Sequence, residues 1–406
     1  MRLFSLIVLI VSLGFGMSLQ DAINLAIRNN TSVRLSELDL RRAQENIRQA
    51  RAGILPQISL SYNFTHLDQS LAFGFTPRNR HSYTLELTQN IFNMAVFEGL
   101  KLAREQEELQ KLIYEDVVKS IELQTKQLFY ALLYKKKLVE LYEENLRYWE
   151  ENYRQVEGKF QAGVLPKVEL MRAKAQLESA RAQLESAKAD YLKSLESFKA
   201  FLRYDQDLVP EGELQEVQPP QLDYSKALEE NNSTLRVARA NLRVYERLVE
   251  VQKAQYYPSL QAFVNYQGST VRSGGGTEFI DGYSVGVRFG YNLFDGFARE
   301  SKIAQAKIDL QKQRENLLDL GYNLRAQLKS VLLELQALQA QLTAVKASLE
   351  SAEESLRLST ERYRYGVASQ LEVLDARNNY NNALLNYYLT LLQLNSALAQ
   401  LERLIK

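Results

Sequence analysis

Apolar residues recur along this chain at two spacings. From Gln57 to Thr65 every second residue is apolar: Ile58, Leu60, Tyr62 and Phe64 alternate with Ser59, Ser61 and Asn63. Ser82 to Ile91 alternates in the same way, with Tyr83, Leu85 and Leu87 set against Ser82, Thr84, Glu86 and Thr88. Period two predicts half-buried strands, here at about 57–66 and 82–91. Two more are predicted at about 259–267 and 283–291, where Leu260, Ala262, Val264 and Tyr266, then Tyr283, Val285, Val287, Phe289 and Tyr291, share one side. Thr65–His81 and Gln267–Gly282, polar and Gly-rich, are expected to be the connecting loops. Elsewhere the period is helical. Long helices are expected over Ala95–Gln161 and Ala298–Tyr365, each about 100 Å at 1.5 Å per residue, wider than any globular core. Shorter helices are expected over Leu19–Arg51, Pro166–Arg203, Leu222–Ala254 and Ser369–Leu404. Leu170, Leu177, Leu184, Tyr191 and Phe198 recur every seven residues, as do Val373, Tyr380, Tyr387, Leu394 and Leu401. Seven-residue spacing calls for coiled-coil packing, and the Ala residues three positions later let backbones approach. The expectation is a long antiparallel helical tube whose polar faces are either solvated or line a wet channel.

The chain is written twice. Asn29-Asn30 recurs as Asn231-Asn232, Ile54-Leu55-Pro56 as Tyr256-Tyr257-Pro258, and Ile91-Phe92-Asn93 as Leu293-Phe294-Asp295, all 202 positions apart. Gly163 and Gly366 are 203 apart, as are Glu169 and Glu372. An offset that changes by only one residue over such a length means a duplicated unit. Each unit reads helix, strand, strand, long helix, tip, helix. The first repeat spans 19–204 with its tip near 159–169, the second 222–406 with its tip near 362–372. Asp205–Gln221, holding Pro210, Pro219 and Pro220, is the linker. At each tip Gly suits the left-handed residue that ends a helix, and Pro166 suits the start of the next one.

Strands of about ten residues with one apolar and one polar face occur in membrane β-barrels and in soluble antiparallel sheets. The barrel is favoured because no other β sequence exists to cover the apolar side and because aromatics recur near strand ends. Four strands cannot close a barrel, since about 8 is the minimum, and open edges cannot persist in lipid. The barrel must therefore be shared between chains.

Composition narrows the chemistry. The chain of 406 residues carries a net charge of +1, no Cys and two His. That gives no nucleic-acid footprint and removes thiol chemistry, Cys metal sites and a lipid-anchored Cys. His66 and His81 both fall in strand-like sequence. Residues 1–18 resemble a secretory signal peptide, with Arg2, the apolar run Leu3–Leu13 and a small-residue exit through Ser18. No phosphate loop, nucleophile elbow or dinucleotide fingerprint occurs; Gly274-Gly275-Gly276 lies between strands. The chain is expected not to be an enzyme and to need no cofactor or metal. Glu372 and Asp375 are three apart and so share a helix face. Repeated by symmetry they form rings of carboxylates, a cation-selective constriction that divalent ions can block; standing alone they are an acidic helix start favoured by the dipole.

With Arg362-Tyr363-Arg364-Tyr365-Gly366-Val367, Leu371-Glu372-Val373-Leu374-Asp375-Ala376 and the duplicated unit in view, the chain resembles the TolC-type outer-membrane efflux proteins over essentially its whole mature length. The resemblance implies a mostly α fold with a transmembrane β-barrel. It implies a homotrimer sharing one β-barrel in outer-membrane lipid and one α-helical barrel in the periplasm. It implies the exit duct of a tripartite efflux or type I secretion system, with a periplasmic adaptor protein and an inner-membrane transporter as partners. Glu372 and Asp375 match the family's constriction, and Tyr363 and Glu169 match its gate latch. The turns Gly163, Val164, Leu165 and Gly366, Val367, Ala368 match its adaptor-docking tips. A latch Arg falls at Ala368, so that part of the latch is missing or rebuilt. The rival from another class is a secreted coiled-coil spacer or adhesin without a pore.

Overall fold

The computed structural model of the protein describes residues 15–406. Most of the expected secretory segment lies outside the described residues. Its last four do not: Phe15–Met17 form β1, and Ser18 caps the helix that follows, accepting from Asp21 N–H. Residues read as a leader's exit are thus part of the fold, with Met17 buried.

The first repeat continues as α1 (Leu19–Asn29), α2 (Thr31–Ala52), β2 (Gln57–His66), β3 (Asn79–Asn93), α3 (Met94–Gln161) and α4 (Lys167–Leu202). A short β4 (Leu208–Pro210) precedes α5 (Tyr224–Asn231), α6 (Ser233–Lys253), β5 (Ser259–Ser273), β6 (Gly276–Gly290), α7 (Ala298–Arg364) and α8 (Gln370–Ile405). The protein is mostly helical with one antiparallel four-stranded sheet, in the order β2-β3-β5-β6. The first helix of each repeat, expected to be continuous, breaks at the repeated Asn pair. Asn30 is extended at ψ 135° and its side chain accepts from Ser32 N–H. Such local bonding competes with helix continuation. The Asn pairs also reach the last turns of the returning helices, Asn29 donating to Leu202 O and Asn232 to Leu404 O.

The described chain forms two compact units. One comprises residues up to Arg34, Asp116–Asn232 and Tyr322–Lys406; the other comprises Leu35–Glu115 and Ser233–Gly321. The second unit holds the sheet. Its register pairs Leu60 with Leu85, Leu85 with Tyr266 and Tyr266 with Tyr283, so the apolar residues stand on one face. That face is bare: Leu60 is 73% exposed and Tyr283 80%. Both outer strands, β2 and β6, have a free edge. Tyr83 stacks on Phe279 with centroids 5.5 Å apart, and both rings lie over Gly268, where a Cβ would approach them to 2.7 Å. The outer loop expected at Gln267–Gly282 is mostly strand. β5 and β6 stay paired to Ser273 and Gly276, and Gly274 and Gly275, with φ of +56° and +90°, complete a two-residue turn. Two consecutive glycines with positive φ match the twist of a hairpin, so the Gly-rich run closes a tall hairpin instead of opening a loop. β3 likewise begins at Asn79, three residues earlier than expected.

The first unit holds the helical core. Phe129, Leu132 and Leu133 of α3 are buried, as are Phe198 and Leu202 of α4, with the Phe129 and Phe198 rings 6.1 Å apart. The heptad residues Leu177 and Leu184, with Ala173 and Ala180, form the buried stripe of α4. β1 runs parallel to β4. The rest of the linker is fastened to helices: Lys136 donates to Pro210 O, Asn395 to Gln215 O, and Glu216 accepts from Lys346 and Tyr387. Among the described residues no helix is long and apolar enough to cross a membrane.

Candidate functional site at the helical tips

Both long helices end in the same turn. Val164 N–H reaches Lys159 O and Gly163 N–H reaches Phe160 O; Val367 N–H reaches Arg362 O and Gly366 N–H reaches Tyr363 O. Gly163 and Gly366 share φ of +75°. These paired bonds satisfy the last carbonyls of a helix, and the left-handed residue favours Gly. Val164, Gly163, Gly366 and Val367 are exposed, while Leu165 and Ala368 are half-buried. Each returning helix has its N-cap three residues after the Gly, Pro166 before α4 and Ser369 before α8.

The acids at these starts are held differently. Glu169 accepts from Arg172 one turn on, at 3.0 Å, and is half-buried. Glu372 closes a capping box with Ser369: its N–H donates to Ser369 Oγ at 3.2 Å, and its carboxylate accepts from Ser369 N–H at 3.3 Å. Its other oxygen lies 3.7 Å from Arg362 Nη1. Asp375 is exposed on the same face of α8. The stripe continues through Asn379, Asn382 and Asn386, all exposed, at alternating spacings of four and three. Exposed carboxylates followed by neutral amides form a hydrophilic surface with its charge concentrated at the tip end.

Tyr363 and Glu169 are not joined by a hydrogen bond among the described residues. Tyr363 instead packs its ring under Lys159, whose Nζ is 5.3 Å from the centroid, so the end of α7 touches the end of α3. A cleft nearby is lined by Trp149 and Asn152 of α3, Glu169 and Arg172 of α4, and Gln370 and Leu374 of α8. Its floor is a small core in which Trp149 packs with Leu177 and Ala180 and with Leu374 of α8.

Sequence reasoning missed the residues that join α8 to α3 at this cleft and beyond it. Arg377 stacks on Tyr148 at 4.2 Å, Asn381 donates to Asn145 and Gln370 to Asn152. Burial lowers the pKa of Arg377, and burial raises that of Tyr148, opposed by Arg377 itself. A signal existed: Gln370, Leu374, Arg377 and Asn381 keep the 4-3-4 spacing of a second seam beside the one through Val373 and Tyr380. Of the described residues, no group of His, Asp or Glu is placed to hold a metal ion.

A model of the outer membrane efflux protein family matches residues 22–202 and again residues 224–405. Outer membrane protein TolC of Escherichia coli (strain K12) is 24% identical over 399 residues, covering 92% of this chain and 80% of that one. Among solved structures, CusC superposes with a TM-score of 0.80 at 16% identity, over 97% of this chain and 92% of that chain. The CmeC outer membrane channel of Campylobacter jejuni gives 0.79 at 18% identity, over 95% and 85%. At these identities the two structures attest the fold.

Proposed function

The chain belongs to the outer membrane efflux protein family, whose members are outer-membrane channels and not enzymes, and from that premise we propose that it is the passive exit duct of a tripartite efflux or type I secretion system. Three copies share one β-barrel in the outer membrane and one helical barrel in the periplasm. The observation that carries this reading is the four-stranded sheet with two free edges and a bare apolar face. Hydrocarbon tolerates the face but not the edges. Placing β6 of one copy beside β2 of the next removes the edges while keeping every neighbour antiparallel, and three such sheets exceed the roughly 8 strands that closure requires. Below the membrane the duct is walled by the long helices and their returning partners. The turns Gly163–Leu165 and Gly366–Ala368 are its docking tips for a periplasmic adaptor, which links it to an inner-membrane transporter. Glu372 and Asp375 form the constriction, where ringed carboxylates favour cations. Tyr363 on Lys159 joins the end of α7 to the end of α3 and serves as the gate latch, with Glu169, held within α4 by Arg172, beside it.

The test is single-channel recording from the mature protein in a planar lipid bilayer. Small, steady, cation-selective steps are expected. Replacing Glu372 and Asp375 by Ala should lower the cation preference several-fold and weaken block by divalent ions; replacing Glu169 and Arg172 by Ala should leave selectivity in place. A protein that stays soluble without detergent and passes no current is instead a coiled-coil spacer, and unchanged selectivity without Glu372 and Asp375 removes them from the constriction.

A further inference from the structure

The two repeats carry the same hairpin in the same register. Gln57 pairs with Thr88 and His66 with Asn79; 202 positions on, Ser259 pairs with Gly290 and Gly268 with Asp281. Within the chain the two hairpins meet edge to edge, β3 against β5, with Leu85 opposite Tyr266, Leu87 opposite Val264 and Phe92 opposite Leu260. Ile91 is left out of that pairing as a bulge. The two outer strands, β2 and β6, are the repeat counterparts of β5 and β3, and each keeps one edge free.

Counterparts are ordered where a partner is present and bare where it is not. β3 runs to Asn93, but β6 stops at Gly290. Tyr291–Asp295, the counterpart of Gln89–Asn93, is therefore not strand. Phe92, set opposite Leu260, is 37% exposed, and its counterpart Phe294 is 71% exposed. The helices below the sheet show the same contrast. Ala240 of α6 is 1% exposed, and Arg243 and Arg247 join α6 to Glu105 of α3; Leu38 of α2, the counterpart of Ala240, is 56% exposed. An element packed in one repeat and bare in the other lacks its counterpart's partner. In each case that partner lies in the opposite repeat, and a second copy of the chain supplies it through a head-to-tail contact that can close into a ring.

We propose that β6 of one copy joins β2 of the next by repeating the chain's own β3–β5 junction residue for residue, and that this contact orders Tyr291–Asp295. The proposal rests on the channel reading and specifies how its barrel closes. Moved by 202 positions, the internal junction sets Val287 opposite Phe64 of the next copy, Phe289 opposite Tyr62, Tyr291 opposite Leu60 and Phe294 opposite Ile58. Leu293 takes the place of the bulged Ile91. All four pairs are apolar and lie on the lipid side, where such cross-strand pairs stabilise a sheet. On the lumen side Arg288 faces Asn63. A slip of one residue would carry the apolar side of β2 to the lumen. Tyr291–Asp295 leads into α7, where Asp295 Oδ2 accepts from Arg299 N–H and lies 3.0 Å from its Nε. Closing the barrel thus also fixes the point at which α7 leaves it.

The test uses the full mature chain, which has no Cys of its own, assembled in detergent. Within one copy β3 and β5 separate β2 from β6, a distance of about 14 Å, so a disulfide between β2 and β6 must join two copies. Arg288→Cys with Asn63→Cys should oxidise nearly completely to covalent trimers on a denaturing gel. Arg288→Cys with Ser61→Cys, or with Thr65→Cys, sets the thiols two residues out of register, about 7–8 Å apart, and should leave most chains monomeric on that gel. In the assembled protein the amides of Tyr291–Asp295 should exchange as slowly as those of Gln89–Asn93. Trimers that cross-link through a displaced pair keep the shared barrel and overturn the register. Where Arg288→Cys with Asn63→Cys fails to assemble, Gly290→Cys with Ser61→Cys reads the same register, and assembled trimers that neither pair bridges overturn it too. Fast exchange at Tyr291–Asp295 in bridged trimers overturns the ordering. An unaltered chain that stays monomeric in detergent sinks the channel reading, and the junction with it.

Discussion

The tip between α3 and α4 and the tip between α7 and α8 share a backbone and differ in charge. Both use the same two hydrogen bonds around a Gly at φ of +75°, and both reach the next N-cap in three residues. The first tip then places Glu169 and Arg172 at the third and sixth positions of the helix start; the second places Glu372 and Asp375 there. One pair cancels and the other adds. Pro166 caps α4 with no side-chain hydrogen bond, while Ser369 and Glu372 close a box at α8. Duplication thus kept the turn, because only a few backbone conformations end one helix and begin another within so few residues, and left side chains free to diverge. The second tip became the acidic one. Arg362 does not neutralise it, since the pair at 3.7 Å is exposed, and exposed pairs contribute little.

Two substitution tests bear on that comparison. The largest stability effect is expected at the glycines. A Cβ at Gly163 or Gly366 meets nothing within 4 Å, so Gly163→Val and Gly366→Val should each cost about 1–2 kcal/mol through backbone strain alone. Hydrogen exchange of the tip amides measures it, and clearly unequal losses would break the equivalence of the two turns. The caps come next. Ser369→Ala should cost about 1 kcal/mol of local stability, whereas Pro166→Ala removes no hydrogen bond; equal protection losses at the two helix starts would contradict the asymmetry.

The smallest effect is expected in the linker, which is fastened to the second repeat by a titratable group. Hydrogen bonds from Lys346 and Tyr387 hold Glu216 below the usual carboxylate range. Its contribution is therefore present above the unfolded value near 4.3 and is lost as pH falls through the lower folded value. Burial, with the bond to Glu216, pushes Tyr387 up to about 12, so its share is complete below the unfolded value near 10 and is lost as pH rises toward 12. Screening leaves about 0.5 kcal/mol for the exposed ion pair. Limited proteolysis of residues 205–221 should accelerate at either extreme and stay flat between. The Lys136 bond to Pro210 O on the first repeat involves no carboxylate and should persist in acid. A cut rate that ignores pH would deny Glu216 this role.

Much of the architecture was legible because its signals are local. Alternation at Ile58–Phe64 and Tyr283–Phe289, the heptads of α4 and α8 and the two tip glycines each lie within a short window. Where local signals misled, a neighbour in space was responsible. Gly274–Gly276 read as a loop because glycine marks both loops and tight hairpin turns, and pairing of β5 with β6 as far as Ser273 decided between them. The Asn29-Asn30 pair marked the repeat without showing why it is there. Its reason lies 173 positions on, at the Leu202 carbonyl.

By itself the sequence determined the duplication, the type of each main element, the apolar side of each strand and the different charge balance of the two helix starts. All follow from residues a few positions apart, where period, handedness and i,i+3 geometry leave little choice. Only the tertiary structure decided that Tyr363 rests on Lys159, that Trp149 is shared by α3, α4 and α8, and that Arg377 lies half-buried on Tyr148. The contacts of α3 with α7 and α8 join residues more than 200 positions apart, and which of several amphipathic faces meets which is settled by packing all the helices at once. An Arg on a helix reads as a solvated charge until a neighbouring helix closes over it.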